Sequence, residues 1–156
     1  LVYTSAALRA PLRIVGPLRA QLVVSSSAVD TDFIARLVHV WPDGRATSIQ
    51  EGALRARYRD GVELPRPMTP GERYVLDVPM RSIAYLVPRG HRLRLDVTSS
   101  SFPRLERNLN TGGRNYDEST PEKAINRVFH GGDAVSFVEL PVLDTPVPDA
   151  DSTPTR

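Results

Sequence analysis

The chain has 156 residues, a size that fits one domain able to bury roughly 70% of its unfolded surface. It has no cysteine, which excludes a disulfide framework and a thiolate zinc site and favours a reducing, cytoplasmic compartment. Net charge is +2, and 19 of the 20 basic residues are Arg, interleaved with 18 acidic residues instead of forming a block. The basic stripe with interleaved aromatics that a nucleic-acid surface needs is missing, and no apolar run approaches the ~20 residues of a membrane span. Nucleic acid and membrane are therefore not expected as partners. The opening "LVYTSAAL" has no initiator Met and neither a basic nor a long apolar leader region, so it reads as part of something longer.

In chain order, strand patterns are expected over 18–26, 33–41, 46–60, 72–80, 82–87, 91–99, 124–130 and 136–143, each rich in β-branched or alternating apolar residues. Between them stand "AVDTD", "PDGR", "PRPMTPGE", "VPRG" and "HGGD", the punctuation that turns require. Helical periodicity is missing, so the class is all-β, a sandwich or jelly roll. In "HRLRLDV" Leu93, Leu95 and Val97 form a core face opposite Arg92, Arg94 and Asp96. In "ALRARYRD" Ala53, Arg55, Arg57 and Arg59 share one face, with Leu54, Ala56 and Tyr58 on the other. The outer arginines are expected to be solvated or paired across strands more readily than to form a recognition stripe. Residues 1–143 are assigned to the domain, and the Pro-, Asp- and Thr-rich 144–156 to a flexible tail.

Catalytic chemistry is hard to find. Ser25, Ser26 and Ser27, and again Ser99, Ser100 and Ser101, occur in runs, but neither run sits in a G-x-S-x-G elbow with a base beside it. His39, His91 and His130 belong to different strands and lack zinc-site spacing. "DTD" at 30–32 resembles half a calcium loop, yet Ile34 and Arg36 stand where further ligands belong. A site assembled from several loops stays open; the main expectation is that Asp30 and Asp32 make local Asx-type turn bonds. No catalytic residue, metal or cofactor is assigned.

The series "YTSAAL", "DTDFIARLVHVWPDGRA", "EGALRARYRD", "PGERYVLDV", "GHRLRLDVTSSSFPRLERNLNTGG" and "AINRVFHGG…SFVELPV", in that order, resembles the C-terminal domain of the X-Pro dipeptidyl-peptidase family. Cocaine esterase, α-amino-acid ester hydrolases and glutaryl acylase are relatives of that family. The resemblance implies a galactose-binding-like jelly-roll β-sandwich joined to an α/β-hydrolase domain that carries a Ser-Asp-His triad, none of which lies here. It implies that domain as the partner, and leaves a homo-oligomer of the parent open. His39 stands where relatives usually have Asp and Ala7 where they have Pro, so a contact at 39 would respond to pH.

One end of such a jelly roll must meet the hydrolase part. The irregular stretch 99–113 sets Phe102, Pro103, Leu105 and Leu109 among Arg104, Arg107, Asn108 and Asn110, an apolar anchor with a polar rim. The candidate domain interface is therefore Asp30, Asp32, Phe33, Phe102, Pro103, Arg104, Leu105, Arg107, Asn108 and Asn110, with Phe33 either in the contact or capping the core. The competing reading folds this loop over its own sandwich end. A rival function, a stand-alone carbohydrate- or ligand-binding module, needs an aromatic platform, for which the chain offers the single Trp41 and five tyrosines.

Overall fold

The structure is a computed structural model that describes residues 1–114 and 116–143. The assigned tail, 144–156, lies outside the described residues. Among the described residues eight strands follow in chain order: β1 (Val2–Thr4), β2 (Leu12–Ser26), β3 (Asp32–Val40), β4 (Ala46–Arg55), β5 (Tyr74–Val87), β6 (Arg92–Thr98), β7 (Asn126–Phe129) and β8 (Phe137–Glu139). A 3-10 turn, Ala56–Tyr58, follows β4.

Two antiparallel sheets form. One runs in the order β1-β6-β3-β4; in the other β2 pairs with β5 on one side and with β7 and β8 on the other. Alternating apolar positions dictate the packing. Leu22 and Val24 of β2, Leu76 and Val78 of β5, Phe33, Ala35 and Leu37 of β3, and Val97 of β6 meet in one core. Burying each large member stabilises the fold by roughly 1.5–3 kcal/mol before chain entropy is counted. Leu93 and Leu95 pack against this core, as the alternation in "HRLRLDV" requires.

β3 is buried on both faces, because Ile34 and Val38, which alternate with the core residues, are only 1% and 2% exposed. At Gly52 the two sheets approach so closely that an added Cβ would sit 2.3 Å from the Pro79 carbonyl oxygen. Only a residue without a side chain fits there.

Beyond shifts of one or two residues at strand ends, the strands differ from expectation at five places. β1 (Val2–Thr4), paired with β6, lies where no strand was expected. β2 begins at Leu12 rather than 18, and its register with β5 shifts between Pro17 and Arg19. Pro17 lacks an N–H and Gly16 has φ 133°, so the punctuation bends the strand without ending it. The runs 72–80 and 82–87 form one strand, β5. The strand expected over 46–60 stops at Arg55, because the Ala56 N–H donates to the Thr31 carbonyl and the Arg57 N–H to Asp30 Oδ1, which turns the chain. The face expected to carry Ala53, Arg55, Arg57 and Arg59 therefore breaks after Arg55. The run 136–143 yields only the three residues of β8 and an isolated bridge between Val142 and Ile14.

Candidate interface site

β6 ends at Thr98, and the chain enters the stretch 99–113, which closes over the start of β3 and the end of β4. Asn108 makes the decisive bonds. Its Nδ2 donates to Asp30 Oδ2 at 2.9 Å and to Asp32 Oδ1 at 2.8 Å. Each aspartate also holds an arginine, one from the last position of β4 and one from the turn after it. Arg57 Nε donates to Asp30 Oδ2 at 2.7 Å, and Arg55 Nε to Asp32 Oδ1 at 2.9 Å. Arg57 Nη1 reaches on to the carbonyls of Gly112 and Gly113, tying down the far end of the loop. Bonding to Asp32 raises the already high pKa of Arg55 against the opposing effect of burial.

The local turn bonds expected of Asp30 and Asp32 are thus not the bonds the structure makes. Both carboxylates are buried, Asp30 at 0% and Asp32 at 8% exposure, and a buried carboxylate is stable only when paired and hydrogen-bonded. The alternating arginines of "ALRARYRD" meet that need from 23 and 27 residues away. Phe33, next in the chain, is 2% exposed inside the core, so of its two expected places it takes the core.

Local bonds brace the loop further. The Asn110 N–H donates to Asn108 Oδ1, Asn110 Nδ2 donates to the Glu122 carbonyl, and the Glu122 N–H donates to the Leu109 carbonyl. Asn110 has φ 64°, a left-handed conformation that Asn tolerates. Gly112 has φ 77°, and an added Cβ would come within 2.8 Å of Val29 Cγ2. On the outer side, Glu51 accepts from Arg36 Nε at 2.6 Å and Arg104 Nε at 2.8 Å. Burial opposes its charge, but the bonds from Arg104, Arg36 and Ser101 outweigh that and hold its carboxyl below the usual range.

The asparagines therefore turn inward while the apolar anchor turns outward. Phe102 is 63% exposed, with the Arg107 guanidinium 4.8 Å from its ring centroid, and Pro103, joined to it by a cis peptide bond, is exposed beside it. Leu105 is half-buried against the neighbourhood of Asp32 and Arg55. The expected set thus divides into buried supports (Asp30, Asp32, Phe33), half-buried residues (Leu105, Asn108, Asn110) and an outer surface (Phe102, Pro103, Arg104, Arg107). Arg55, Arg57 and Glu51 were outside the expected set. Their signal was the alternation of charge along β4 and the turn after it, but only the pairing register places those charges opposite the aspartates.

A second polar cluster ties the sheets together at the other end of β3. His39, 3% exposed, bridges Tyr85 Oη at 2.9 Å through Nδ1 and His91 Nδ1 at 2.7 Å through Nε2. Burial, and then the proximity of His91, push His39 below the ordinary imidazole value. Trp41 stacks on the His39 ring at 3.9 Å, and the Arg45 guanidinium lies 5.5 Å from the Trp41 ring centroid. The indole that the carbohydrate rival requires as a platform is thus already engaged within the chain.

These bonds engage His39 and Ser136 within the chain. Both ring nitrogens of His39 are taken, so it cannot activate a serine. Ser136, near His130, spends its hydroxyl proton on the Phe129 carbonyl at 2.6 Å. No group of three His, Cys, Asp or Glu residues is placed to hold a metal among the described residues. No helix of the described residues is long and apolar enough to cross a membrane.

Comparison with known proteins adds the wider setting. Residues 1–139 match the family described as the X-Pro dipeptidyl-peptidase C-terminal non-catalytic domain. The chain is similar to the cocaine esterase of Rhodococcus sp. (strain MB1 Bresler), 41% identical over 145 residues that make up 92% of this chain and 25% of that protein. Its fold is similar to an aminopeptidase from the marine sediment archaeon Thaumarchaeota archaeon, with TM-score 0.86 and 28% identity over 92% of this chain and 25% of the other. An α-amino acid ester hydrolase gives the same TM-score, identity and coverage. The chain spans about a quarter of the length of these relatives.

Proposed function

The chain belongs to the family of X-Pro dipeptidyl-peptidase C-terminal non-catalytic domains, and from that premise we propose that it buttresses the catalytic part of a larger serine hydrolase. In this reading an α/β-hydrolase part of the same chain cleaves an ester or amide bond by acyl transfer. This domain, a galactose-binding-like jelly roll spanning residues 1–143, packs against it and adds no reacting group. The docking surface is the outer side of the 99–113 loop. The observation that supports it most is the pairing of a pinned support with an exposed anchor: Asn108 is fixed by two buried aspartates, while Phe102 stands 63% exposed under Arg107. A contact residue on a rigid loop loses little conformational freedom on docking, which is what a permanent domain contact requires.

The test is removal of residues 1–143 from the longer hydrolase. The expected result is a lower melting temperature for the remaining catalytic part and loss of its ester or amide hydrolysis on warming. An unchanged melting temperature and unchanged activity across that range would contradict the proposal.

A further inference from the structure

At the edge of the sandwich where β1 and β6 face β7 and β8, the two sheets do not close. An apolar cleft of ≈ 530 Å³ opens there, lined among others by Leu95, Val128, Val138 and Leu140. It reaches Leu22 and Leu37, core residues that are each 1% exposed. Tyr3 stands at its rim, its ring edge-on to His130 with centroids 5.5 Å apart.

The strand at this edge also has a free side. The Val97 N–H donates to the Leu1 carbonyl and the Ser5 N–H to the Leu93 carbonyl. Antiparallel alternation therefore turns the backbone groups of Val2 and Thr4, which lie opposite Asp96 and Arg94, away from β6. Among the described residues no strand pairs with that side of β1. Across the cleft, β2 is covered in two short pieces, by β7 over Val23–Ser26 and by β8 over Arg19–Gln21. An unpaired edge above an opening to the core is a surface that folded proteins cover.

We propose that a β-strand from the catalytic part of the longer hydrolase lies along the free edge of β1 and sends alternate apolar side chains into this cleft. The inference rests on the domain being a module of such a hydrolase. A strand meets both needs at once: its backbone pairs with Val2 and Thr4, and every second side chain meets the apolar lining. A small apolar ligand would fill the cleft but leave those backbone groups to solvent. The source follows from the family, since this is the C-terminal domain of proteins of which it makes up about 25%. In such a chain the catalytic part comes before the matching residues, and β1, the first strand, lies on the lip of the cleft.

The experiment is hydrogen exchange at the amides of Val2 and Thr4 in the longer hydrolase, with maleimide labelling of its Tyr3→Cys and Phe102→Cys variants. The expected result is that both amides exchange about a thousandfold or more below their intrinsic rates, as paired backbone does, and that Tyr3→Cys is protected at every protein concentration. Exchange near the intrinsic rate would overturn the proposal. Protection that disappears on dilution would overturn it in favour of a second copy, and a protected Tyr3→Cys with freely exchanging amides in favour of a small ligand. If Phe102→Cys is shielded while the two amides exchange freely, domain docking stands and the added strand falls. Rapid labelling at both positions together with free exchange removes both.

Discussion

Asp30 Oδ2 lies 2.7 Å from Arg57 Nε, in a pair whose two side chains are 0% and 13% exposed. Such a pair contributes less by its attraction than it costs to break, because removing one partner leaves a buried, uncompensated charge. Asp30→Ala is expected to lower unfolding stability by about 3–5 kcal/mol. Asn108→Ala, which removes two bonds without removing a charge, is expected to cost about 1–3 kcal/mol. Urea unfolding of the two variants checks both, and equal small losses would mean that the network is solvated.

Stability should also fall on mild acidification. The unfolded chain binds a proton on His39 near the ordinary pKa of about 6.5, whereas the folded chain, through burial and then His91, binds it only at lower pH. Between those two values unfolding takes up a proton. The His39 contribution is therefore complete above the ordinary imidazole pKa and is lost as pH falls through this window. The groups around it are Tyr85, His91 and, across Trp41, Arg45. Melting temperatures at pH 7.5 and 5.5 should differ in the native chain and differ less in His39→Gln; equal pH dependence in both would contradict this.

Much of this fold was legible because strand alternation is a local property. Leu93, Leu95 and Val97 declare an inner face by spacing alone, and the turns announce themselves through Gly, Pro and Asp. Bonds between distant residues were not legible. "DTD" reads as a pair of turn aspartates until the register brings Arg55 and Arg57 against them. The loop at 99–113 could be recognised as unusual, and Phe102 stands exposed on it. That Asn108 reaches 76 and 78 residues back along the chain could not be read from its neighbours.

The close approach of the sheets predicts a large effect from a small substitution. In Gly52→Ala the new methyl would meet the Pro79 carbonyl at 2.3 Å, and backbone cannot move aside as a flexible side chain can. A loss of about 3 kcal/mol or more is expected, at the upper end of overpacking effects. An unchanged midpoint in thermal unfolding would show that β4 and β5 have room to separate.

Calcium should have no effect on stability. The carboxylate oxygens of Asp30 and Asp32 already accept from Arg55, Arg57 and Asn108, so a cation would have to displace two half-buried guanidinium groups. Only a ligand that prefers the folded state raises a melting temperature. Titrating millimolar calcium into the metal-stripped chain is expected to leave it unmoved, whereas a rise of several degrees that vanishes in Asp30→Ala would make this turn a metal site.

The central claim, that the braced loop presents Phe102 to a catalytic partner, is tested most directly by the dissociation constant between this chain and the separately produced catalytic part, measured with the native domain and with Phe102→Ala. The account predicts binding weakened by about 1–3 kcal/mol, the range for a buried interface aromatic, with little change in the domain's own melting temperature. An unchanged dissociation constant accompanied by a marked fall in melting temperature would contradict it, because Phe102 would then serve only the packing of its own loop.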